Sequence, residues 1–356
     1  MKKTLLLKVN SQNPEAAKIK TAADIIKRGG LVAFPTETVY GLGADALNPE
    51  AVRSLFEAKM RPLDNPPIVH VENVQDVDRL AKHVPKKAKV LMKKFWPGPL
   101  TLVLERCNAI PDVTVAGLST VAVRMPKNEV ALSLIRESRC PIAAPSANLA
   151  GKPSPTTAQH VLDDLNGRID AILDGGPTCI GVESTVLDVS VKPPMVLRPG
   201  GVPFEALKET LGEVKLHPFV AAEHEVAVGE ARSPGMRHKH YAPKAKLILV
   251  EGSMPGMVKK VKELTASSEK DGNRTGVLAT DETVSNYRAD VVKSLGSRFN
   301  LEMVAQNLFK MLREFDSENV NVIIAESVPA EGLGLAVMNR LRKASGYNIV
   351  KADDLP

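Results

Sequence analysis

The chain has 356 residues, 44% of them hydrophobic and 25% charged, so it is long enough for two domains with ordinary cores. Its 47 Lys and Arg residues against 41 Asp and Glu residues give a mild positive charge, which permits a nucleotide or RNA partner without requiring one. Aromatic residues are only 4%, which argues against RNA recognition by stacked bases.

Cysteine usage and hydropathy indicate a cytoplasmic protein. The three cysteines form no Cys-x-x-Cys pair, which argues against a disulfide framework or a zinc finger. The apolar run Leu5–Leu7 is too short for a signal peptide, and no apolar run has the length of a transmembrane helix. We therefore expect a cytoplasmic location without a membrane partner.

The predicted elements of the first part alternate irregularly. Asn13-Pro14 predicts the start of a first helix and Gly29-Gly30 its end, and Asn48-Pro49 begins a second helix that Pro62 ends. Further helices are predicted at Val77–His83, Lys86–Phe95, Glu129–Ser138, Ala158–Leu165 and Phe204–Leu211. Strands are predicted at Leu31–Phe34, Ile68–Val71, Leu100–Leu104, Val121–Arg124, Ile142–Ala144, Ala171–Leu173, Ser184–Val189 and Val196–Leu197. Since several strands are consecutive, we expect a twisted mixed sheet with helices on it.

The pattern changes twice in the second part. From His217 no core-forming periodicity is visible, and after Pro243 strands and helices alternate regularly. The sequence therefore predicts a domain over residues 1–216, a linker or lid over 217–245, and a smaller Rossmann-like parallel α/β domain over 246–356. Its predicted elements are Leu247–Val250, Met257–Leu264, Thr275–Ala279, Leu301–Phe315, Val320–Ala325 and Leu335–Ala344.

A loop of small residues, PTETVYGLGADA over Pro35–Ala46, follows the first predicted strand. Its Gly41–Ala46 fits the Gly-x-Gly-x-x-Ala pattern, but no helix opens directly and no acid follows at the dinucleotide spacing, so that interpretation is weak. Two cations, Lys59 and Arg61, follow with no acid between them. They predict an anion site, and the competing interpretation is a favourable interaction with the helix dipole.

Arg124 and Arg198 strengthen the anion hypothesis. Each ends a predicted strand just before a proline, where the chain leaves the sheet. Ligand sites of α/β proteins lie at strand ends and in the loops that follow them. Together with Lys59 and Arg61, these side chains would suit a triphosphate and a carboxylate.

Other polar groups have a structural interpretation that competes with the functional one. Ser146 and Asn148 follow a buried strand, and Ser184 follows a turn; such residues often only shape local turns. His70 would ordinarily be a core histidine. Glu331–Gly334 precedes a helix and suggests an anion site, although a plain connection explains it as well.

The linker contains the cluster Arg237–Tyr241 between two prolines. His238 and His240 form a His-x-His pair without a further ligand at metal spacing, so no metal site is expected there. A cationic and aromatic segment of this kind suits a lid over an anionic nucleotide.

Taken in order, the motifs of the whole chain resemble the two-domain threonylcarbamoyl-adenylate synthases, whose catalytic part is the YrdC-like domain. The matching motifs are PTETVYGLGADA (Pro35–Ala46), AKMRP with Lys59 and Arg61, DNPPIVH (Asp64–His70), WPGPLTLVL (Trp96–Leu104), GLSTVAVRMP (Gly117–Pro126), PIAAPSANLAGKPSPT (Pro141–Thr156), GVESTVLD (Gly181–Asp188), LRPGG (Leu197–Gly201), SPGMRHKHYAP (Ser233–Pro243) and GLGLAVMNRLRKASG (Gly332–Gly346). Pro67 departs from the aliphatic residue that is usual there.

The resemblance implies a nucleotidyltransferase that makes threonylcarbamoyl-AMP and pyrophosphate from L-threonine, bicarbonate or CO2, and ATP with Mg²⁺. No tightly bound prosthetic group is implied. The product would serve threonylcarbamoyl-adenosine formation at position 37 of tRNAs that read ANN codons, which leaves open tRNA and the downstream transferase complex as partners.

The resemblance also implies roles for individual residues. L-Threonine would be bound by Thr36, His70, Arg124 and Ser184. ATP would be bound by Lys59, Arg61, Asn65, Thr120, Ser146, Asn148, Ser154, Arg198 and Tyr241, with His240 a weaker candidate. Lys59 and Arg61 are the expected catalytic residues, and no metal-ligating side chain is expected.

Two rival functions stay open at this point. The carbamoyl-transfer step of hydrogenase maturation uses a similar domain, but those proteins carry Cys-x-x-Cys zinc fingers and an acylphosphatase-like region that this sequence lacks. A non-catalytic RNA-binding protein is the other rival, and the low aromatic content argues against it.

Overall fold

The structure is a computed structural model that describes residues 3–221 and 240–352. Within these residues the chain forms two compact units, one of residues 3–150 and 154–221 and one of residues 151–153 and 240–352. Of the predicted linker, residues 222–239 lie outside the described residues.

The first unit is built on one sheet of eleven strands. Its strands are β1 Leu5–Lys8, β2 Val32–Phe34, β3 Gly41–Asp45, β4 Ile68–His70, β5 Leu100–Glu105, β6 Thr120–Arg124, β7 Ile142–Ala144, β8 Ala171–Asp174, β9 Thr185–Asp188, β10 Met195–Arg198 and β11 Lys215–Leu216. Its helices are α1 Ala16–Lys27, α2 Pro49–Lys59, α3 Lys86–Phe95, α4 Glu129–Ser138, α5 Ala158–Leu165, α6 Phe204–Leu211 and α7 Pro218–Ala221.

The strand order is β1-β8-β2-β3-β7-β4-β6-β5-β9-β10-β11. Parallel and antiparallel neighbours both occur: β4 and β6 are parallel, for instance, whereas β4 and β7 are antiparallel. The prediction of a mixed sheet is therefore confirmed. Since β4, β6 and β10 run in the same direction, His70, Arg124 and Arg198 all stand at the carboxyl ends of like-directed strands.

The helices cover the two faces of this sheet unequally. Apolar side chains of α2, α3 and α6 pack on one face, while α1 and α4 pack on the other face over β1, β8, β2 and β7. Ile68 and His70 are the cross-strand partners of Ala144 and Ile142, so they lie on the face that α1 and α4 cover farther along. Arg124 shares this face with His70, because the two residues are partners in the β4–β6 pairing.

A small apolar cluster marks the same face beyond β7. It consists of Ile68, Val103, Ala122, Val186 and Leu197, from β4, β5, β6, β9 and β10. Because side chains alternate along a strand, these residues point away from the main core. His70 and Arg124, two positions after Ile68 and Ala122, point the same way. His70 and Arg124 thus lie next to an apolar surface of the sheet.

The predicted glycine loop is wrong in part, because Gly41–Asp45 forms strand β3, antiparallel to β2. A Cβ at Gly43 would lie 2.8 Å from both the Phe34 ring and the Ile142 side chain. The glycine therefore admits large neighbours from the adjoining strands rather than relaxing a loop. The true loop is residues 35–40.

The first helix begins later than predicted, with Glu15 rather than Asn13 as its N-cap residue. The backbone N–H groups of Gln12 and Asn13 both donate to the Asn10 side chain, at 2.9 Å each. This turn ties up the segment before the helix. The second helix starts as predicted, since the Asn48 side chain accepts hydrogen bonds from Glu50 and Ala51.

The second unit is a small open sheet. Its strands are β12 Lys246–Glu251, β13 Thr275–Ala279, β14 Val291–Ser294, β15 Val322–Glu326 and β16 Ile349–Lys351, and its helices are α8 Met254–Lys270, α9 Leu301–Ser317 and α10 Gly334–Ala344. The order is β14-β13-β15-β12-β16 and every pairing is parallel, which confirms the predicted Rossmann-like sheet. The strands β14 and β16 were not predicted, because their residues are only half-buried and give a weak apolar signal.

Helices lie on both faces of this second sheet. Met257 and Val261 of α8 pack with Val250, Val277 and Ile324 on one face. The ring of Phe315 in α9 lies against Gly276, on the opposite face, and α10 packs on α9. Across residues 3–221 and 240–352, no helix combines the length and the apolar character that a membrane crossing needs.

Candidate functional site

Arg124 is the centre of the candidate site. This buried residue ends β6; its Nη1 donates to Thr38 Oγ1 at 3.0 Å and its Nε donates to the Gly98 carbonyl at 3.2 Å. Its Nη2 lies 2.7 Å from Glu37 Oε2, an ion pair whose atoms are not aligned for a hydrogen bond. Strands β7 and β4 separate β3 from β6, so the loop 35–40 must fold across the sheet face to reach Arg124.

His70 stands beside Arg124 on the neighbouring strand. The imidazole is buried, its Nδ1 lies 3.1 Å from the Ile68 carbonyl, and its ring meets Phe34 edge to face. Burial, and secondarily the charge of Arg124, lowers the pKa of His70 to about 3. The ring is therefore neutral near pH 7 and can hydrogen-bond a ligand without adding charge.

Thr36 shapes the loop over the site. Its Oγ1 donates to the Val39 carbonyl at 2.7 Å and lies 2.8 Å from Thr38 Oγ1, and it accepts the backbone N–H of Thr38 and Val39. The side chain thus closes a local turn. This turn sets the position of Thr38 and, through it, one hydrogen bond to Arg124.

Ser184 and Arg198 are joined by hydrogen bonds. Arg198 Nη2 donates to the Ser184 carbonyl at 3.0 Å and lies 3.2 Å from its Oγ, which is itself 2.8 Å from Thr101 Oγ1. The close packing depends on Gly200, where a Cβ would lie 2.3 Å from the Glu183 carbonyl oxygen. The two predicted residues therefore form one rigid, buried group.

Lys59 has partners that its sequence context did not suggest. Its ammonium donates to the carbonyl oxygens of Ser146 and Asn148. Ser146 Oγ donates to Asn148 Oδ1 at 2.6 Å, and Asn148 Nδ2 to the Leu149 carbonyl at 2.8 Å. Because the ammonium of Lys59 is buried, it takes the loop carbonyls as acceptors and fixes the loop after β7.

Arg61 is likewise held by the backbone. Its Nε and Nη2 donate to the Asn65 carbonyl at 3.1 and 2.9 Å. The Asn65 side chain is buried, and its Oδ1 has no hydrogen-bond partner within the described part of the chain. An unsatisfied buried oxygen of this kind calls for a donor that the ligand would supply.

The remaining predicted residues lie in different places. Ser154 Oγ donates to Glu183 Oε1 at 2.6 Å, next to the Ser184 group. Thr120 is the first residue of β6 and Arg124 the last, so roughly 13 Å of strand separates their Cα atoms and the structure does not bring them together.

Tyr241 belongs to the second unit. Its ring is buried, stacks on Phe309 at 5.4 Å and lies 5.5 Å from the Arg340 guanidinium carbon. The ring of His240 lies 5.5 Å from that of Tyr241. The rest of the predicted lid cluster, residues 237–239, lies outside the described residues.

Glu37 and Thr38 were missed at the sequence level. Glu37 is only 7% exposed, and neither of its carboxylate oxygens has a hydrogen-bond partner among the described residues. A buried, poorly satisfied carboxylate is costly unless a partner or a ligand completes it. The signal that could have revealed Glu37 is an acid between two threonines in a loop that enters an apolar strand.

Backbone hydrogen bonds tie the site loops together. Tyr40 N–H donates to the Pro155 carbonyl at 2.9 Å, and the N–H groups of Ile180 and Gly181 donate to the Glu37 and Thr38 carbonyls at 2.8 and 3.1 Å. The loop 35–40 is thereby fixed to the loops after β7 and β8. Three loops and the strand ends of β4, β6 and β10 thus form one connected polar region that suits a zwitterion and an anion.

Within residues 3–221 and 240–352 no group of three or more His, Cys, Asp or Glu side chains is arranged to hold a metal ion. A magnesium ion that is bound together with phosphates needs only one or two protein carboxylates and is a different case.

The chain matches two family models in tandem. One, described as Telomere recombination and covering the Sua5, YciO and YrdC proteins, matches residues 24–200; the other, the C-terminal domain of threonylcarbamoyl-AMP synthase, matches residues 202–346. A YrdC-type unit followed by this second domain is the architecture of the two-domain synthases. The chain belongs to the threonylcarbamoyl-AMP synthase family, whose members are nucleotidyltransferases.

Relatives match over nearly the whole length. A threonylcarbamoyl-AMP synthase of Pyrococcus abyssi is 51% identical over 98% of this chain and 99% of its own, and one of Bacillus subtilis is 48% identical over 96% of both. The crystal structure of P. abyssi Sua5 complexed with L-threonine superposes with a TM-score of 0.93, over 98% of this chain and 99% of that one. The predicted family, fold and enzyme class are confirmed.

Proposed function

We propose that this enzyme condenses L-threonine, bicarbonate or CO2, and ATP into threonylcarbamoyl-AMP and pyrophosphate. The observation that carries the proposal is the buried guanidinium of Arg124, next to neutral His70 and the carboxylate of Glu37. A cation and an anion side by side, with a neutral hydrogen-bonding ring, suit the carboxylate and ammonium of an amino acid. The relationship to threonylcarbamoyl-AMP synthases supports threonine as that amino acid.

In this proposal Arg124 binds the α-carboxylate of threonine with its forked N–H groups. The ammonium lies toward Glu37, whose oxygens lack hydrogen-bond donors among the described residues. Thr36, His70 and Ser184 complete the pocket and contact the substrate hydroxyl and carboxylate. The apolar cluster of Ile68, Val103, Ala122, Val186 and Leu197 then lies near enough on the same face to shelter the threonine methyl group.

ATP would lie on the side of the loops after α2 and β7. Its proposed contacts are Lys59, Arg61, Asn65, Thr120, Ser146, Asn148, Ser154, Arg198 and Tyr241. Lys59 acts there chiefly by fixing the Ser146–Asn148 loop, whose backbone and hydroxyl groups then meet the phosphates. We propose that Mg²⁺ enters with ATP, held by phosphate oxygens, because the described side chains form no metal cluster.

The chemistry requires positioning more than a protein nucleophile. The ammonium of threonine loses a proton, and the free amine combines with bicarbonate to give the carbamate and water. A carbamate oxygen then attacks the α-phosphorus, the bond from that phosphorus to the α,β-bridging oxygen breaks, and pyrophosphate leaves. Fixed cations that neutralise the growing negative charge, chiefly Arg61 and Arg198, would supply most of the rate enhancement.

The product of this reaction would have a role in tRNA modification. We propose that the product serves threonylcarbamoyl-adenosine formation at position 37 of ANN-decoding tRNAs in the cytoplasm, with tRNA and the downstream transferase complex as later partners. Family membership supports this proposal.

The test is pyrophosphate release from ATP with purified full-length protein. We expect release only when L-threonine and bicarbonate are both present, at least tenfold less with Arg124→Lys, and unchanged with Arg136→Lys, which alters an exposed arginine of α4. Release without threonine, or tight RNA binding without any release, would contradict the proposal.

A further inference from the structure

Thr101 lies in a row of polar side chains that crosses the candidate site. Strands β4, β6, β5, β9 and β10 are consecutive neighbours in the first sheet. Since β5 runs antiparallel to β6 and parallel to β9, both β5 and β9 begin at the edge where β4, β6 and β10 end. In strand order this polar row consists of His70, Arg124, Thr101, Ser184 and Arg198. Thr101 is the member of the row to which no role has been given.

Thr101 faces the same side of the sheet as Arg124. Side chains alternate along a strand, so Thr101 points to the same side as Val103, two positions further on. Val103 pairs with Ala122, and Arg124 follows Ala122 by two positions. Val103 and Ala122 belong to the small apolar cluster described above, so both polar residues adjoin that cluster.

The Thr101 side chain is fully buried, and it bonds the Ser184 hydroxyl, with the two oxygens 2.8 Å apart. Ser184 Oγ also lies 3.2 Å from Arg198 Nη2, which donates to it. A hydroxyl has one proton and two acceptor lone pairs, so Ser184 Oγ can accept from both neighbours and still donate its own proton to a ligand. In the reverse orientation the Thr101 proton would be buried without an acceptor among the described residues, which is costly.

The backbone before Thr101 is fixed to the strands on both sides. The Gly98 carbonyl accepts a hydrogen bond from Arg124 Nε at 3.2 Å. The Pro99 carbonyl accepts the Thr185 N–H at 2.9 Å. The position of Thr101 is therefore set by contacts with β6 and with β9, and its hydroxyl has a fixed place from which to orient Ser184.

We propose that Thr101 is a positioning residue of the reaction. Because it is fully buried, it acts through Ser184 and Arg198 rather than by contact with a substrate. The inference rests on the proposed function, in which Ser184 contacts L-threonine and Arg198 contacts ATP. The Thr101 hydroxyl fixes Ser184 Oγ and leaves the Ser184 proton for the substrate. It also helps to hold Arg198 at a constant distance from Arg124, so that carbamate and α-phosphorus meet in the required geometry.

The test compares Thr101→Val with Thr101→Ser in steady-state pyrophosphate release by the full-length protein. Valine keeps the shape of threonine without the hydroxyl, whereas serine keeps the hydroxyl. Thr101→Val is expected to raise the KM for L-threonine about tenfold, and Thr101→Ser to stay within about threefold of wild type. Since KM does not depend on the fraction of active enzyme, partial unfolding does not imitate this rise.

Thr114→Val is the matched control. Thr114 is equally buried in the first unit and its hydroxyl donates to the Ala46 carbonyl at 2.8 Å, but it lies outside the polar row. Both valine variants are expected to lower the melting temperature, whereas the control should leave the KM for L-threonine unchanged. An unchanged KM in Thr101→Val as well would show a structural role only and would overturn the proposal.

A double-mutant cycle with Ser184→Ala tests the route of the effect. If Thr101 acts through Ser184, adding Thr101→Val to Ser184→Ala should change the KM for L-threonine by no more than about twofold. Single effects that multiply in the double variant would overturn this inference alone, because the wild type is then still an active synthase. Wild-type protein that releases no pyrophosphate with threonine and bicarbonate would overturn the proposed function and this inference together.

Discussion

Replacement of His70 by Gln gives a sharp test of how the site is built, because this ring is buried and neutral. Its pKa is lowered to about 3, from an ordinary value near 6.5 in the unfolded chain. Between these values the unfolded protein binds a proton at this ring that the folded protein does not. Stability from this group is therefore complete above about pH 6.5 and falls by about 1.4 kcal/mol for each pH unit toward pH 3.

The expected magnitude follows directly. Between pH 7.5 and pH 5.0, His70 alone should lower the free energy of unfolding of the first unit by about 2 kcal/mol. Urea denaturation read by tryptophan fluorescence measures this, since the only tryptophan, Trp96, is buried in the main core of the first unit. Other groups titrate in the same range, so the quantity to compare is the pH-dependent loss in wild type minus that in His70→Gln.

An exposed histidine in the same unit supplies the control. His83→Gln is the matched variant, because His83 lies at the surface. In His70→Gln the loss should be smaller by about 2 kcal/mol. If His70→Gln and wild type lose the same stability between the two pH values, the ring titrates normally and the account of a neutral, buried His70 is wrong.

Three further outcomes are expected. Arg124→Lys should raise the KM for threonine on the order of 10–100-fold and change the KM for ATP little in steady-state kinetics, because a forked contact to a carboxylate is lost; an equal rise in both constants would contradict the assignment. Glu37→Gln should raise the KM for threonine about tenfold and also lower the melting temperature, because buried Arg124 loses its charged partner; an unchanged KM would show that Glu37 acts on stability alone. Gly43→Ala should destabilise the first unit by about 1–3 kcal/mol in urea, because the new methyl meets the Phe34 ring; unchanged stability would show that the strands can separate at no cost.

Some features of the site could be predicted from the sequence and others could not, for physical reasons. Arg124 and Arg198 were predicted to end strands, and they do, because a proline after each marks where the chain leaves the sheet. The acceptors of Lys59 were not predictable, since they are carbonyl groups some 90 residues away in sequence. Thr120 lies at the opposite end of β6 from Arg124, so its role in ATP binding depends on the length of the bound ligand and stays a prediction.

The sequence by itself determined the classes of structure and the inventory of chemical groups. Asn48-Pro49 starts a helix, consecutive apolar runs build a mixed sheet, and regular alternation after Pro243 builds a parallel one, because each signal acts within a few residues. The tertiary structure alone decided which groups meet. Strand order brings His70 beside Arg124, and the fold of the loop 35–40 brings Glu37 to Arg124 across two strands. Such contacts depend on pairing between distant segments, which no local pattern encodes.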